Sequence, residues 1–248
     1  MKISEAAWKK YIKQLHGLDA KAADLMREWV GKHGLADRDA LIRYAYAVST
    51  KYGEASAALA CQMYEDIAEL SGKPIRDAEM ADTASYAEVA KTVNGVLKHS
   101  QNIDNLANAV GCLVKKAGQD TTLKNAIRDK AEFAWIPSGD TCAFCMTLAA
   151  NGWQPASKEA LKGGHAEHIH ANCDCAYMIR FNHDTEVAGY DPDKYLEMYE
   201  NAEGKTSKEK INSMRRQMYQ ENKDEINAQK RTAYAERKEH EGQPDTTN

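Results

Sequence analysis

The sequence predicts a mainly α protein: a helical N-terminal body, a small α/β module rich in Cys and His, and a long polar C-terminal helix. Three observations carry this expectation. Apolar residues recur at helical spacing through most of the first half. Gly (15) and Pro (5) are too scarce in 248 residues for many short strands joined by tight turns, which excludes an all-β sandwich. The chain is 43% hydrophobic, enough for a core. Its mean hydropathy is nevertheless -0.67, so part of the length is solvated helix or tail. The expected divisions are a helical body at 1–134, a Cys/His module at 135–190, a polar helical extension at 191–241 and a disordered tail at 242–248.

Trp8, Tyr11, Ile12 and Leu15 fall at i, i+3, i+4 and i+7 behind Ser4, a residue suited to cap a helix. Ala22, Leu25, Met26, Trp29 and Val30 repeat the pattern, with Asp19 as cap and Gly31 and Gly34 closing. A long helix is predicted from about Asp37 to Leu70, with a bend at Gly53 and an end at Ser71-Gly72-Lys73-Pro74. Tyr86, Val89, Val93 and Leu97 mark another helix. Leu106, Val110, Leu113 and Val114 mark one more, opened by Asp104. The last runs from Asp120 through Leu123, Ile127 and Ala134, stopping before Pro137. These stripes are read as core, and their aromatic residues as packing.

From Trp135 to Phe181 glycines, histidines and cysteines cluster. Asp140 is expected to cap a brief helix through Ala150, and Tyr177, Ile179 and Phe181 alternate as a single strand. Thr206 and Glu209 make a capping-box pattern before a helix whose only stripe is Ile211, Met214 and Met218. So narrow a stripe suits a solvated extension or a segment that orders on a partner.

A net charge of -4 provides no field that seeks out DNA or an anionic membrane. No apolar run approaches the roughly 20 residues of a membrane helix. The start, MKISEAAWKKYIKQL, lacks a continuous apolar stretch with a cleavage site, so no signal peptide is expected. The expectation is a soluble, cytosolically made chain with reduced cysteines.

Four of six cysteines fall in one segment: Cys142 and Cys145, then, after a spacer, His165, Glu167, His168, His170, Cys173 and Cys175. Cys142 and Cys145 share one helical turn, so both sulfurs can face one ion. His170 precedes Cys173 by three residues, and Cys173 and Cys175 share a side of an entering strand. Two such clusters joined by a loop are how a tetrahedral sulfur and nitrogen zinc site is assembled. Five candidates compete for four positions: Cys142, Cys145, His170 and Cys173 are preferred and Cys175 is contested. Zinc would supply folding energy that so short a module cannot gain by burial. One or two disulfides are an alternative reading, and Trp135 and Trp153 are expected to pack over the site.

The alternative with chemistry is a zinc enzyme acting on a nucleobase or nucleic acid, deaminase- or nuclease-like. His165-Ala-Glu167 has the H-x-E pattern, with Glu167 as proton shuttle. The order is reversed from that of the deaminases, however, and the proline before their Cys pair is missing. A site with four or five soft ligands is closed, which favours structure over catalysis, so no catalytic residue is assigned.

The order FAWIPSGDTCAFCMTLAANGW followed by HIHANCDCAYMIRF, after a helical half, resembles the Mu-F-like minor head proteins of tailed bacteriophages. Their Cys-x-x-Cys, Leu-x-x-x-Gly and His-x-x-Cys-x-Cys pattern falls on Cys142, Cys145, Leu148, Gly152, His170, Cys173 and Cys175. Ala171 stands where many relatives have proline. The resemblance implies a minor capsid protein inside the virion head near the portal, present in the host cytoplasm during assembly. It implies portal and capsid shell proteins as partners, with no membrane and no small-molecule substrate. The implied role lies in head assembly and in genome retention or ejection. Brief contact with packaged DNA is compatible with it.

Overall fold

The computed structural model describes residues 2–138, 141–157, 175–225, 227, 228 and 230–232. The chain divides into two compact units, Met1–Leu196 and Glu197–Asn248.

The first unit is built on three long helices: α1 (Glu5–His33), α2 (Arg38–Leu70) and α4 (Ile103–Asp129), with the shorter α3 (Tyr86–His99) beside them. Ser4 caps α1, its Oγ accepting from the Ala7 N–H at 3.1 Å. Asp37 caps α2 through Ala40 at 2.9 Å. Gly34 closes α1 as the spacing predicts, while Gly31 lies inside it.

Two predicted starts are corrected. Asp19 does not open a second helix; it sits buried in the middle of α1. Asp120 likewise lies inside α4, paired with Lys116 one turn back at 3.0 Å. That helix is capped by Asn102, whose side chain accepts from Asp104, so Asp104 stands in its first turn. Helix propensity is a weak prior beside tertiary packing, and in α4 two glycines decide the packing. A Cβ on Gly111 would lie 3.1 Å from the Asp19 carbonyl oxygen, and one on Gly118 would lie 2.5 Å from Ser56 Oγ. Bare backbone at these two positions lets α4 press against α1 and α2.

The three long helices pass through two buried clusters. One is apolar throughout and joins α3 to the others through Met26, Leu41, Val89, Val93, Leu106, Val110 and Val114. The other joins Trp8, Tyr11, Met63, Tyr64 and Ile67 to a small sheet. In that sheet β2 (Glu132–Ile136) is central, with β3 (Gln154–Pro155) and β4 (Ala176–Arg180) antiparallel on either side. Trp135 stands opposite Tyr177 and Phe133 opposite Ile179. Two expectations change here. Residues 132–136 are strand rather than the end of a helix, because Lys130 takes a left-handed conformation (φ 55°) and turns the chain back. The expected single strand is one of three. Tyr64 meets Phe181 edge-on at 5.5 Å, which ties α2 to the strand end. A separate two-residue strand, β1 (Lys2–Ile3), pairs in parallel with β5 (Glu186–Val187).

The chain between α2 and α3 is extended and lies along α4, where helix side chains satisfy its backbone. Asn125 accepts from the Glu79 N–H and donates to the Glu79 carbonyl, both at 2.9 Å. Thr121 accepts from Ala81, Lys124 donates to the Met80 carbonyl, and Arg128 donates to the carbonyls of Arg76 and Asp77. A helix edge here takes the place of a strand ladder in pairing the peptide groups of an exposed to half-buried segment.

Arg128 also clamps Asp129, at 2.9 and 2.7 Å, and Tyr64 donates to the same carboxylate at 3.0 Å. The hydrogen bond from Arg128 holds the Asp129 carboxyl below its ordinary range, against the opposing effect of burial. A carboxylate depressed in the folded state contributes stability above its unfolded pKa of about 4, and loses it as pH falls through the lower folded value. Urea midpoints should therefore drop between neutral pH and pH near 3, and Asp129→Asn should flatten that part of the profile.

The loop after β5 leads to α6 (Pro192–Glu200), within which the boundary between the two units falls. In the second unit, Thr206 caps α7 (Ser207–Glu221) with the reciprocal Glu209 contact that the sequence predicts. Lys210 donates to the carbonyls of Tyr199 and Glu200. Of the expected stripe, Met214 is buried, and Ile211 and Met218 are half-buried. The 242–248 tail lies outside the described residues.

Candidate metal centre

The candidate donors on the described chain start at α5 (Ala143–Ala149). Cys142 occupies its N-cap position, and its side chain makes no capping hydrogen bond. Asp140, the expected cap, lies outside the described residues. Cys145 stands on the first turn of α5, buried against β2 with Leu148 and Ala149. Thr147 turns its hydroxyl back to the Ala143 carbonyl at 2.9 Å.

Cys175 lies immediately before β4 and is fully buried. Its carbonyl accepts from Gln119 Nε2 of α4 at 3.4 Å, which anchors the point where the chain enters the sheet. Cys145 and Cys175 are members of one buried cluster, and Cys142 packs against it. Trp135 lies in the same cluster, its ring edge-on to Tyr177 at 4.7 Å. Trp153, half-buried, packs against the same cluster, with the Arg180 guanidinium over its ring at 4.7 Å.

Three of the five predicted donors are thus brought into one region. His170 and Cys173, together with His165, Glu167 and His168, lie outside the described residues. Among the described residues, no group of three or more His, Cys, Asp and Glu side chains is placed to hold a metal ion.

Two observations bear on whether zinc suits this place. Thiolate and imidazole are the donors that a structural zinc site takes. In addition, the Tyr177 hydroxyl and Trp135 Nε1 are buried with no hydrogen-bond partner among the described residues. Both can donate, and a buried donor without an acceptor costs about 1–3 kcal/mol. A thiolate group nearby is the kind of acceptor that would relieve them. Burial pushes the Tyr177 hydroxyl well above the ordinary tyrosine range, with Asp120 and Cys145 adding to the shift, so it stays a protonated donor. Zinc held by Cys142, Cys145, His170, Cys173 or Cys175 would supply a structural cross-link between the α5 turn and the entry to β4.

A second cluster carries no sequence signal. Arg180 Nε donates to Glu132 at 2.5 Å, and its Nη2 lies 3.1 Å from His183 Nδ1. Only the cross-strand register of Glu132 with Arg180, invisible before the sheet is known, brings these residues together.

The fold and its cysteines define a class: a long-helix protein with a small antiparallel sheet and a buried thiol cluster. The chain belongs to the VG15 protein family, a family of viral (phage) gene products, whose model matches residues 2–202. The match spans the three long helices and the sheet. No curated protein and no solved structure matches the chain. Among the described residues, no helix is long and apolar enough to cross a membrane.

Proposed function

We propose that this chain is a structural minor head protein of a tailed phage, associated with the portal and acting in head assembly and in genome retention or ejection. The observation that carries the reading is membership of a viral gene-product family over residues 2–202. The Cys-x-x-Cys and His-x-x-Cys-x-Cys order supports the narrower assignment to a Mu-F-like head protein. So does a molecule dominated by long helices.

Zinc is the proposed cofactor, in a structural role, with Cys142, Cys145, His170, Cys173 and Cys175 as its candidate ligands. The partners are the portal and shell proteins, and the place of action is the virion head. The reading assigns the chain no catalytic residue. Deleting the gene from the phage that carries it tests this reading. Deletion should leave shells that form but particles that fail to package, keep or deliver their DNA, with infectivity restored by supplying the chain in trans. Full infectivity without the chain would contradict it.

A further inference from the structure

Two side chains of the sheet carry a buried donor with nothing to accept from it. Tyr177 on β4 is 2% exposed and Trp135 on β2 is 5% exposed. Neither the Tyr177 hydroxyl nor Trp135 Nε1 has a hydrogen-bond partner among the described residues. The two residues are cross-strand partners, so their side chains leave the sheet on the same face. Their rings meet edge-on, with centroids 4.7 Å apart, and Phe133 meets Tyr177 in the same manner at 5.3 Å. Aromatic neighbours on two sides hold the Tyr177 ring in place.

The thiols lie beside these donors. Cys175 precedes Tyr177 by two residues, the spacing that returns a strand to one face. Cys145, on α5, belongs to the same buried cluster as Tyr177 and Trp135. Together with Asp120 it lies within electrostatic reach of the Tyr177 hydroxyl. The Asp120 carboxylate is already paired with Lys116 at 3.0 Å.

Buried polar side chains are nearly always paired, so two orphaned donors beside one group of thiols point to an acceptor formed there. A neutral thiol accepts weakly, whereas a metal-bound thiolate carries charge and takes charge-assisted hydrogen bonds. Zinc held by three or four thiolates leaves net negative charge in the core, which needs donors around it. We infer that the Tyr177 hydroxyl and the Trp135 indole N–H donate to the metal-bound thiolates of Cys145 and Cys175, positioning them and raising the affinity of the site for zinc. The inference rests on the zinc reading proposed above.

The test uses full-length protein stripped of metal. Zinc is titrated against a chromophoric chelator, and cobalt is loaded separately, because its thiolate charge-transfer band reports on the sulfur ligands. Uptake by the wild type tests the zinc reading, and Tyr177→Phe tests the inference. The variant should bind zinc about 10–100-fold more weakly, the usual consequence of losing an outer hydrogen bond to a ligand. Its cobalt band should move to longer wavelength, because a thiolate without that hydrogen bond gives up its electron more readily. Without metal the variant should unfold at the same or a higher urea concentration than the wild type, since phenylalanine removes a desolvated hydroxyl that has no partner. A side chain with only a packing role would move neither the affinity nor the band. Trp135→Phe also loses ring volume, so the band, which should shift in the same direction, is its readout. Stoichiometric uptake by both proteins, with affinity and band unchanged in Tyr177→Phe, would overturn the inference and leave the zinc reading standing. No uptake by the wild type would overturn both.

Discussion

Cys142→Ser is expected to destabilise the first unit by several kcal/mol in the zinc-loaded chain and to abolish stoichiometric metal binding. The sign of the effect is what makes this substitution informative. Cys142 is the N-cap of α5 and its side chain makes no capping hydrogen bond. Serine is among the best residues for that position, and gaining such a cap stabilises a helix by about 1 kcal/mol. If the sulfur had only a local role, the variant would be as stable as the wild type or more so. If the sulfur is a zinc ligand, its loss removes part of a metal-binding free energy that is also folding free energy. Denaturant unfolding of both proteins, with and without a chelator, separates the two cases. Chelator should lower the wild-type midpoint and leave that of the variant unchanged.

The second large effect is expected at Asn125. Its side chain is fully buried and makes three hydrogen bonds: two to the peptide of Glu79 and one to the Thr121 carbonyl at 2.8 Å. Leucine matches asparagine in side-chain branching and heavy-atom count and favours helix, although its methyl groups need more room and add some overpacking strain at a buried site. It would, however, strand the N–H and carbonyl of Glu79 beside α4. These peptide groups are part-buried and water can replace some of what they lose, so at about 0.5–1.5 kcal/mol per hydrogen bond Asn125→Leu should cost roughly 2 kcal/mol. Hydrogen exchange should localise the damage: amides of residues 76–81 should lose protection before those of α4 do. Uniform loss across both would mean that the strap and the helix open as one unit.

Much of the helical body was legible from periodicity and caps. Ser4, Asp37 and the Thr206–Glu209 pair carry their own signal, because a capping side chain acts within three residues of itself. Asp19 and Asp120 carry the same signal and mean something else. Each is accommodated inside a continuous helix, Asp120 by Lys116 and Asp19 where Gly111 lets its backbone approach α4. Nothing local reports contacts between helices more than 90 residues apart.

The turn at Lys130 was equally hidden. A non-glycine residue in the left-handed region gives no compositional warning, so Glu132 to Ile136 read as the tail of a helix although they form the central strand. The strap along α4 has no periodicity at all, since its order is supplied from another element. The cysteine pattern was legible as spacing, and the structure gathers Cys142, Cys145 and Cys175 around one core. The cluster at Arg180 was not legible, because a cross-strand register assembles it from distant residues.

The most direct measurement is the amount of this chain in purified particles of the phage that encodes it, quantified by mass spectrometry against the major shell protein. The account predicts a small fixed number of copies per particle, the same in procapsids and in filled heads. Absence of the chain from both would contradict it.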